Sequence, residues 1–251
     1  MKQKAKIFLI LLLPGMLFIP LIFVIPNKPY FFPYFYEESK LYIDELIQFT
    51  LSNLRDNNSE AFIRYQLSNK SYNEEGLRIY SSLNIWSYFA FTEVSKYKNN
   101  IFYRENYAIP AFNFVLNNLL NDTLFGVLHW CYPDGSFPPP ANQSLFNDSK
   151  TILTTYQSWW ILSLLDRYEY ENDSIYLDYA NKSLDFLITT LWDPINYGFY
   201  FDLSSHSGVI NTKKDTWSQT NALEALLKAY KITNNQSYLF YINKTVDFLI
   251  N

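Results

Sequence analysis

The sequence predicts an all-α protein, a curved array of helical hairpins with small β-hairpins in its long loops, preceded by one N-terminal transmembrane helix. Three observations carry this reading. The chain repeats itself with offsets of 62 and 72 residues. Within each copy, apolar residues recur at intervals of three and four, the spacing of an amphipathic helix. A positively charged start is followed by a long apolar run.

The start comes first. Lys2, Lys4 and Lys6 precede an apolar stretch over 7–25, broken by Pro14, Gly15 and Pro20. At ~1.5 Å per residue this stretch nearly spans a hydrocarbon core of ~30 Å. The lysines should stay inside and the rest should cross. No small-residue cleavage signature follows, so 1–28 reads as a retained signal-anchor, with a cleaved leader and a secreted chain as the alternative. Residues 29–36, rich in Tyr and Phe, suit a membrane interface and read as a juxtamembrane linker. The expected localisation is single-pass, with 37–251 outside the cytoplasm as one domain. Sequons at Asn57, Asn69, Asn121, Asn142, Asn147, Asn172, Asn181, Asn235 and Asn243 agree with export, although Asn181 and Asn243 also occupy equivalent repeat positions.

The repeat organises the remainder. An offset of 62 places Asn181-Lys182-Ser183-Leu184-Asp185-Phe186-Leu187-Ile188 on Asn243-Lys244-Thr245-Val246-Asp247-Phe248-Leu249-Ile250, and Gln157 on Gln219. An offset of 72 places Tyr107-Ala108 on Tyr179-Ala180, Phe114 on Phe186, and Phe125-Gly126 on Tyr197-Gly198. Phe49, Leu54, Asp56 and Phe62 match Phe186, Leu191, Asp193 and Phe199. Helical periodicity runs through 85–97, 156–168 and 217–230, and again through 176–192, which ends at Asp193-Pro194 because proline disfavours helix in the residue before it. Polar turns at Asn99-Asn100, Glu171-Asn172-Asp173 and Asn234-Asn235 stop one helix and cap the next. The count is three hairpins and one further helix.

The other connections, about 57–74, 121–148 and 194–215, are long. Segments 198–202 and 208–210 read as a β-hairpin inside one of them, with 62–65 as a counterpart in the first unit. Long and short connections alternate, so a curved array gathers the long ones at one end as a rim, where sites usually sit. Helices entered from these loops begin near Gly76, Thr151 and Thr216 and point their N-termini at the rim.

Composition narrows the function. The aromatic fraction is 20% and the net charge −4, with three lysines in the leader; the remainder is more acidic still, which argues against a nucleic-acid partner. The single cysteine, Cys131, excludes an intrachain disulfide and a thiolate metal cluster. No phosphate loop, dinucleotide fingerprint or nucleophile elbow is present, so no cofactor is implied. His129 and His206 both fall in long loops, where each reads either as a general base or as an exposed loop residue; their spacing gives little support for a metal. Asp134, Asp202 and Asp215 are candidate catalytic carboxylates, two of which glycoside hydrolysis needs across a bond. Asp134 also fits an Asp-Gly turn and Asp215 a helix N-cap. Trp130, Tyr132, Phe137, Tyr197, Tyr200 and Trp217 lie in or beside the long loops, and are either sugar-stacking platforms or core. Gln157 and Gln219 either donate to substrate hydroxyls or bond a neighbouring loop.

Leu191-Trp192-Asp193-Pro194, then 197–202, then Lys214 and Gln219 before an Ala/Leu-rich helix, resembles the N-acylglucosamine 2-epimerase and cellobiose 2-epimerase group, within the six-hairpin glycosidase superfamily. The resemblance covers roughly 40–251. It implies an (α/α) toroid, a partial α/α-barrel, acting on carbohydrate by sugar epimerisation or isomerisation, with glycoside hydrolysis next. The second glycine of the family's Trp-Asp-x-x-x-Gly-Gly-Phe type segment is absent, since Phe199 follows Gly198. Six hairpins close such a barrel, so the chain is expected to be truncated or to be half of a split barrel completed by a second chain. The family's later histidines have no counterparts here. Two rival readings stand beside the enzyme: a non-catalytic helical-repeat module that binds glycan or protein, and a prenyltransferase- or cyclase-like toroid suggested by 134–137. An enzyme predicts that His206, Asp134 and Trp217 converge on one pocket.

Overall fold

The computed structural model describes residues 33–64, 76–138 and 148–250, with side chains from 43 onward. The leader 1–28, the first part of the aromatic linker, and Asn69, Asn142 and Asn147 lie outside the described residues. Among the described residues no helix is long and apolar enough to cross a membrane.

Helix α1 (Pro33–Asn53) begins inside the aromatic stretch and is followed by β1 (Ile79–Tyr80) and α2 (Ser81–Lys98). A π-helical turn (Arg104–Ala108) leads into α3 (Ile109–Asn118), then β2 (Trp130–Cys131), β3 (Thr151–Leu153) and α4 (Thr154–Glu171). Next come α5 (Ser174–Thr190), β4 (Asp202–Ser204), β5 (Ile210–Asn211), α6 (Thr216–Thr233) and α7 (Ser237–Ile250). The expected three hairpins plus one helix are present as α1, α2/α3, α4/α5 and α6/α7.

The helices entered from long loops, α2, α4 and α6, are each 18 residues long. Each stops at an asparagine in the left-handed conformation: Asn99 (φ 49°), Asn172 (φ 54°) and Asn234 (φ 53°). Asparagine tolerates that region better than most residues, so one residue type sets all three lengths. Asp173 then caps α5 by accepting the Ile175 N–H. The π-turn before α3 has an identifiable cause in Pro110, which cannot donate to the carbonyl four residues back. That carbonyl, of Asn106, is instead taken by Arg55 Nη2 at 3.2 Å.

Outer helices α1, α3 and α5 each end in the same folded corner. Isolated bridges pair Arg55 with Phe62, Leu120 with Val127, and Trp192 with Phe199. Two residues before the second member, Glu60, Phe125 and Tyr197 all take positive φ (59°, 55° and 58°). One residue after the first member, a short polar side chain holds the turn. Asp56 accepts the Ser59 N–H, Asn121 those of Thr123 and Leu124, and Asp193 those of Ile195 and Asn196. These corners explain why Phe62 and Phe199 align without forming the expected hairpin strands. The chain folds back on the helix end there, and strand pairing starts only at Asp202, opposite Asn211.

The sheets fix where the long connections go. β1 of the first pairs antiparallel with β2 of the second, Ile79 opposite Cys131. β3 of the second pairs with β4 of the third, Ile152 opposite Leu203. The three long connections are thereby stitched into one rim, and α2, α4 and α6 run side by side beneath it. Trp160 and Phe112, stacked at 4.8 Å, lie at the centre of the layer between inner and outer helices. At the opposite end, buried Arg167 holds Glu171 (2.9 Å) and the Tyr176 hydroxyl (2.6 Å).

Candidate functional site

The inner helices place three residues in equivalent positions near the rim: Trp86, Trp159 and Asn221, each two residues after the amide-bearing Asn84, Gln157 and Gln219. Trp86 and Trp159 meet edge to face at 5.1 Å. Trp159 Nε1 donates to Asn221 Oδ1 at 2.6 Å, and the Trp159 ring lies 6.4 Å from that of Trp217. Tyr156, one helical turn nearer the rim, stacks on Trp159 at 5.5 Å with an interplanar angle of 19°. From Tyr156 the line continues into the rim loops through His129 (5.6 Å), Tyr80 (5.3 Å) and Trp130 (6.4 Å), and ends at Tyr132 (5.6 Å). The rings form one continuous wall across two long loops and three helices.

Charge collects at the His129 end. The Arg64 guanidinium lies 5.5 Å over the Tyr80 ring and that of Arg78 lies 4.2 Å over Trp130. Burial pushes the His129 imidazole down to about 4, and the positive charges of Arg64 and Arg78 push the same way, against a hydrogen bond to the Asp148 backbone and the Asp148 charge. His129 is therefore neutral at neutral pH. Burial raises the Tyr156 hydroxyl, which hydrogen-bonds Ser82. The Asp148 carboxylate accepts the Lys150 N–H and the Ser204 hydroxyl, both at 2.9 Å. Asp202 is raised from the usual carboxylate range, first by burial and then by the Asp148 charge, while a hydrogen bond from Asn211 opposes the shift.

Of the five candidate catalytic residues, His129 and Asp202 share this neighbourhood through Asp148. The other three do not join it. Asp134 is exposed and closes a turn, accepting the Ser136 N–H and hydroxyl, whose hydrogen bonds lower its pKa. Asp215 caps α6 through the Ser218 N–H at 2.6 Å. His206 is exposed on the link between β4 and β5. Among the described residues, no hydrogen bond, ion pair or ring contact ties His206, Asp134 and Trp217 together, so the convergence expected of an enzyme on those three is not found.

Among the candidate binding residues, Tyr132 and Trp217 reach the surface of the wall, whereas Trp130, 1% exposed, is core behind it. Phe137 lies beside it under the Lys150 ammonium (5.4 Å). Tyr197 and Tyr200 face elsewhere. Tyr197 occupies a folded corner and packs on Trp192 and Phe240, on the α7 side. Tyr200 sits by the Lys214–Asp193 ion pair of 2.7 Å. Burial opposes ionisation of Asp193, but the hydrogen bond from Lys214 and those from Asn196 and Ile195 outweigh it and hold the carboxyl well below its usual range.

Gln157 and Gln219 are fully buried and engage the folded corners. Gln157 Oε1 accepts the Val127 N–H (2.8 Å), and its Nε2 donates to the carbonyls of Phe125 (2.9 Å) and Ser183 (3.1 Å). Gln219 takes both backbone groups of Phe199 at 2.7 Å. Asn84 does the same for Phe62, at 2.8 and 3.0 Å. Both glutamines are sealed from solvent at 0% exposure with their amides turned into the corners, so their role is to hold the corners.

The sequence reading missed Arg64, Arg78, Tyr80, Trp86, Asp148, Tyr156 and Trp159. A signal was present for some of them. The inner helices recur with an offset of 73 between the first two copies, which puts Trp86 on Trp159, whereas 72 was read from the outer helices.

Deeper along the concave face, an open depression of about 520 Å³ is lined by Glu169, Thr220, Glu224, Leu227, Lys228 and Lys231. There Lys228 pairs with Glu169 at 3.0 Å. Among the described residues no cluster of three or more His, Cys, Asp or Glu could hold a metal ion. Cys131 is buried in β2, where burial pushes its thiol up to about 12, followed by the effect of the Asp134 charge. Of the described sequons, Asn57, Asn172, Asn235 and Asn243 are exposed, whereas Asn121 and Asn181 are partly buried.

No protein-family model and no curated protein matches the sequence. Solved structures do match the fold. A D-mannose isomerase superposes with a TM-score of 0.73 at 16% identity, over 84% of this chain and 55% of its own length. A GH76 α-mannanase of Bacteroides thetaiotaomicron superposes with 0.65 at 19%, over 85% and 55%. The cellobiose 2-epimerase of Spirochaeta thermophila superposes with 0.63 at 14%, over 86% and 55%. The chain spans about half the length of these proteins and shares their helical-hairpin fold over that part.

Proposed function

We propose that this is a carbohydrate-active protein, and that the ring wall from Tyr132 to Trp217 is where a sugar is held. The wall itself is the observation that carries the reading. Flat apolar faces edged by Asn221, His129 and tyrosine hydroxyls match a sugar's apolar ring face and its polar rim. The proteins that share the fold bear the names of a mannose isomerase, a mannanase and a cellobiose epimerase. Trp217, 57% exposed, reports on the wall without holding up the core. Titration of the chain with D-mannose, cellobiose and mannobiose should change its tryptophan fluorescence. Trp217→Ala should weaken the affinity by about tenfold while leaving thermal stability unchanged. Absence of any response to all three sugars sinks the reading.

The wall supports binding better than it supports proton abstraction. A base that takes a proton from a sugar carbon works best with a pKa near the operating pH, and His129 lies well below it. A second reading, glycoside hydrolysis, rests on Asp148 and Asp202. Asp148 accepts two hydrogen bonds, and Asp202 beside it is raised by burial and by the Asp148 charge, as suits the acid of such a pair. On this reading Asp202→Asn abolishes release of sugar from an aryl α-mannoside and leaves the fluorescence titration intact. Hydrolysis that survives the substitution removes Asp202 from the chemistry. Attachment to the outer face of a membrane through 7–25 is part of the same proposal; carbonate extraction of membranes from expressing cells tests it.

A further inference from the structure

The direction of α1 decides which end of the protein adjoins the attachment segment. Outer helices α1, α3 and α5 end at the corners of the rim, so their first residues lie at the opposite end, among the short turns. Asp44 of α1 meets Lys98, the last residue of α2, at 2.5 Å. Residues 33–43 of α1 therefore reach beyond the end of α2. In sequence, only 26–32 separate α1 from the apolar run 7–25. The short-turn end is apolar where it adjoins α1. The α2–α3 turn exposes Ile101 (49%) and Phe102 (48%), and the α4–α5 turn exposes Tyr170 (52%) and Ile175 (50%). The two turns touch: the Arg104 guanidinium lies 3.5 Å over the Tyr170 ring, and its Nη1 meets Glu171 at 3.5 Å. The α6–α7 turn, farther from α1, is the polar run Asn234-Asn235-Gln236-Ser237.

Exposed isoleucine, phenylalanine and tyrosine side chains gain by entering the interfacial layer of a bilayer, where aromatic rings in particular collect. Lys96 and Lys98, the basic residues in the last turn of α2, are paired with Glu93 and Asp44, so this part of the surface offers apolar side chains and no basic patch. Apolar residues are exposed at the rim too, Ile195 and Val209 among them. What selects the short-turn end is that α1 leads to it. We propose that the α2–α3 and α4–α5 turns rest in the headgroup layer of the membrane that holds 7–25, so that the rim and its ring wall face away from the bilayer. The proposal rests on the attachment reading and adds a lipid contact and an orientation to it.

The test uses the full chain in phosphatidylcholine vesicles. Cys131, the single cysteine, is buried with its thiol pushed up to about 12, so a cysteine added at an exposed site is labelled alone. Phe102→Cys and Ile175→Cys sample the proposed contact, and His206→Cys samples the rim. A bimane label at 102 or 175 should be quenched about threefold more strongly by nitroxide-bearing lipid than the label at 206, and more weakly by aqueous iodide. Circular-dichroism melts show which variants keep the fold, and either contact position alone suffices. Asn172 lies between Tyr170 and Ile175, so chain purified from the membranes of glycosylating cells should carry no glycan there. Labels at 102 and 175 no better shielded than the one at 206, in a chain that floats with the vesicles after a carbonate wash, overturn the lipid contact and leave attachment standing, as does a glycan on Asn172. A chain that the wash releases from the vesicles overturns attachment and contact together.

Discussion

Gln157→Met is expected to destabilise the chain by about 2–4 kcal/mol, as measured by urea unfolding, with no effect on sugar affinity in the protein that remains folded. Methionine nearly matches glutamine in volume, so the loss is one of hydrogen bonds and not of packing. The Val127 N–H, sealed at 0% exposure, then has no acceptor. The Phe125 carbonyl keeps one partner, the Ser183 hydroxyl at 3.0 Å. A buried N–H left without a partner loses its solvation outright, which is why the expected cost exceeds that of an average hydrogen bond. Gln219→Met should behave alike through Phe199, whose two backbone groups rest on that one side chain. If Gln157→Met unfolds at the parent's urea concentration and instead loses its ligand, the glutamine is a binding residue and the assignment of the corners is wrong.

That contrast marks where the sequence was informative. Helix number, helix ends and the alternation of connections depend on local chemistry: asparagine stops, proline after a helix, and apolar spacing over one turn. Each can be read along the chain, and each recurs in three copies. The role of Gln157 depends on a partner 30 residues away in a corner whose positive φ at Phe125 has no glycine to announce it. The direction of Tyr197 and Tyr200 depends on the same kind of corner, which turns them toward α7 and Lys214 although they sit in a rim loop by sequence. Arg78, Tyr80 and His129 come from two loops joined by the short β1–β2 ladder, two residues per strand, too brief for an alternation pattern to form. Trp86 and Trp159 were visible in the sequence but fell outside the offset in use, because unequal loops give inner and outer helices different repeat lengths.

Between about pH 6.5 and about pH 4, folding stability is expected to fall by about 3 kcal/mol on account of His129 alone. The sign follows from where the proton is held. The folded-state pKa, about 4, lies below the unfolded value of 6.5, so in this window the unfolded chain binds the extra proton and the native chain does not. Acidification therefore favours the unfolded state until the native imidazole is protonated as well, and the loss is complete below about pH 4. Asp202 contributes with the opposite slope, since its folded pKa is raised and its stabilisation is lost as pH rises through that value. Asp193, held low, loses its contribution only at pH values below the ordinary carboxylate range. Subtraction isolates the histidine: His129→Phe keeps a ring against Tyr80 and Tyr156 and leaves both carboxylates in place. Urea unfolding of parent and His129→Phe across the window should show the acid limb of the parent reduced in the variant, with His206→Phe, altered at an exposed site, tracking the parent. Parallel curves for parent and His129→Phe would mean that the native imidazole titrates as it does in the unfolded chain. The wall would then lie open to water at His129, and the case for a desolvated sugar site beside Arg64 and Arg78 would lose its electrostatic basis.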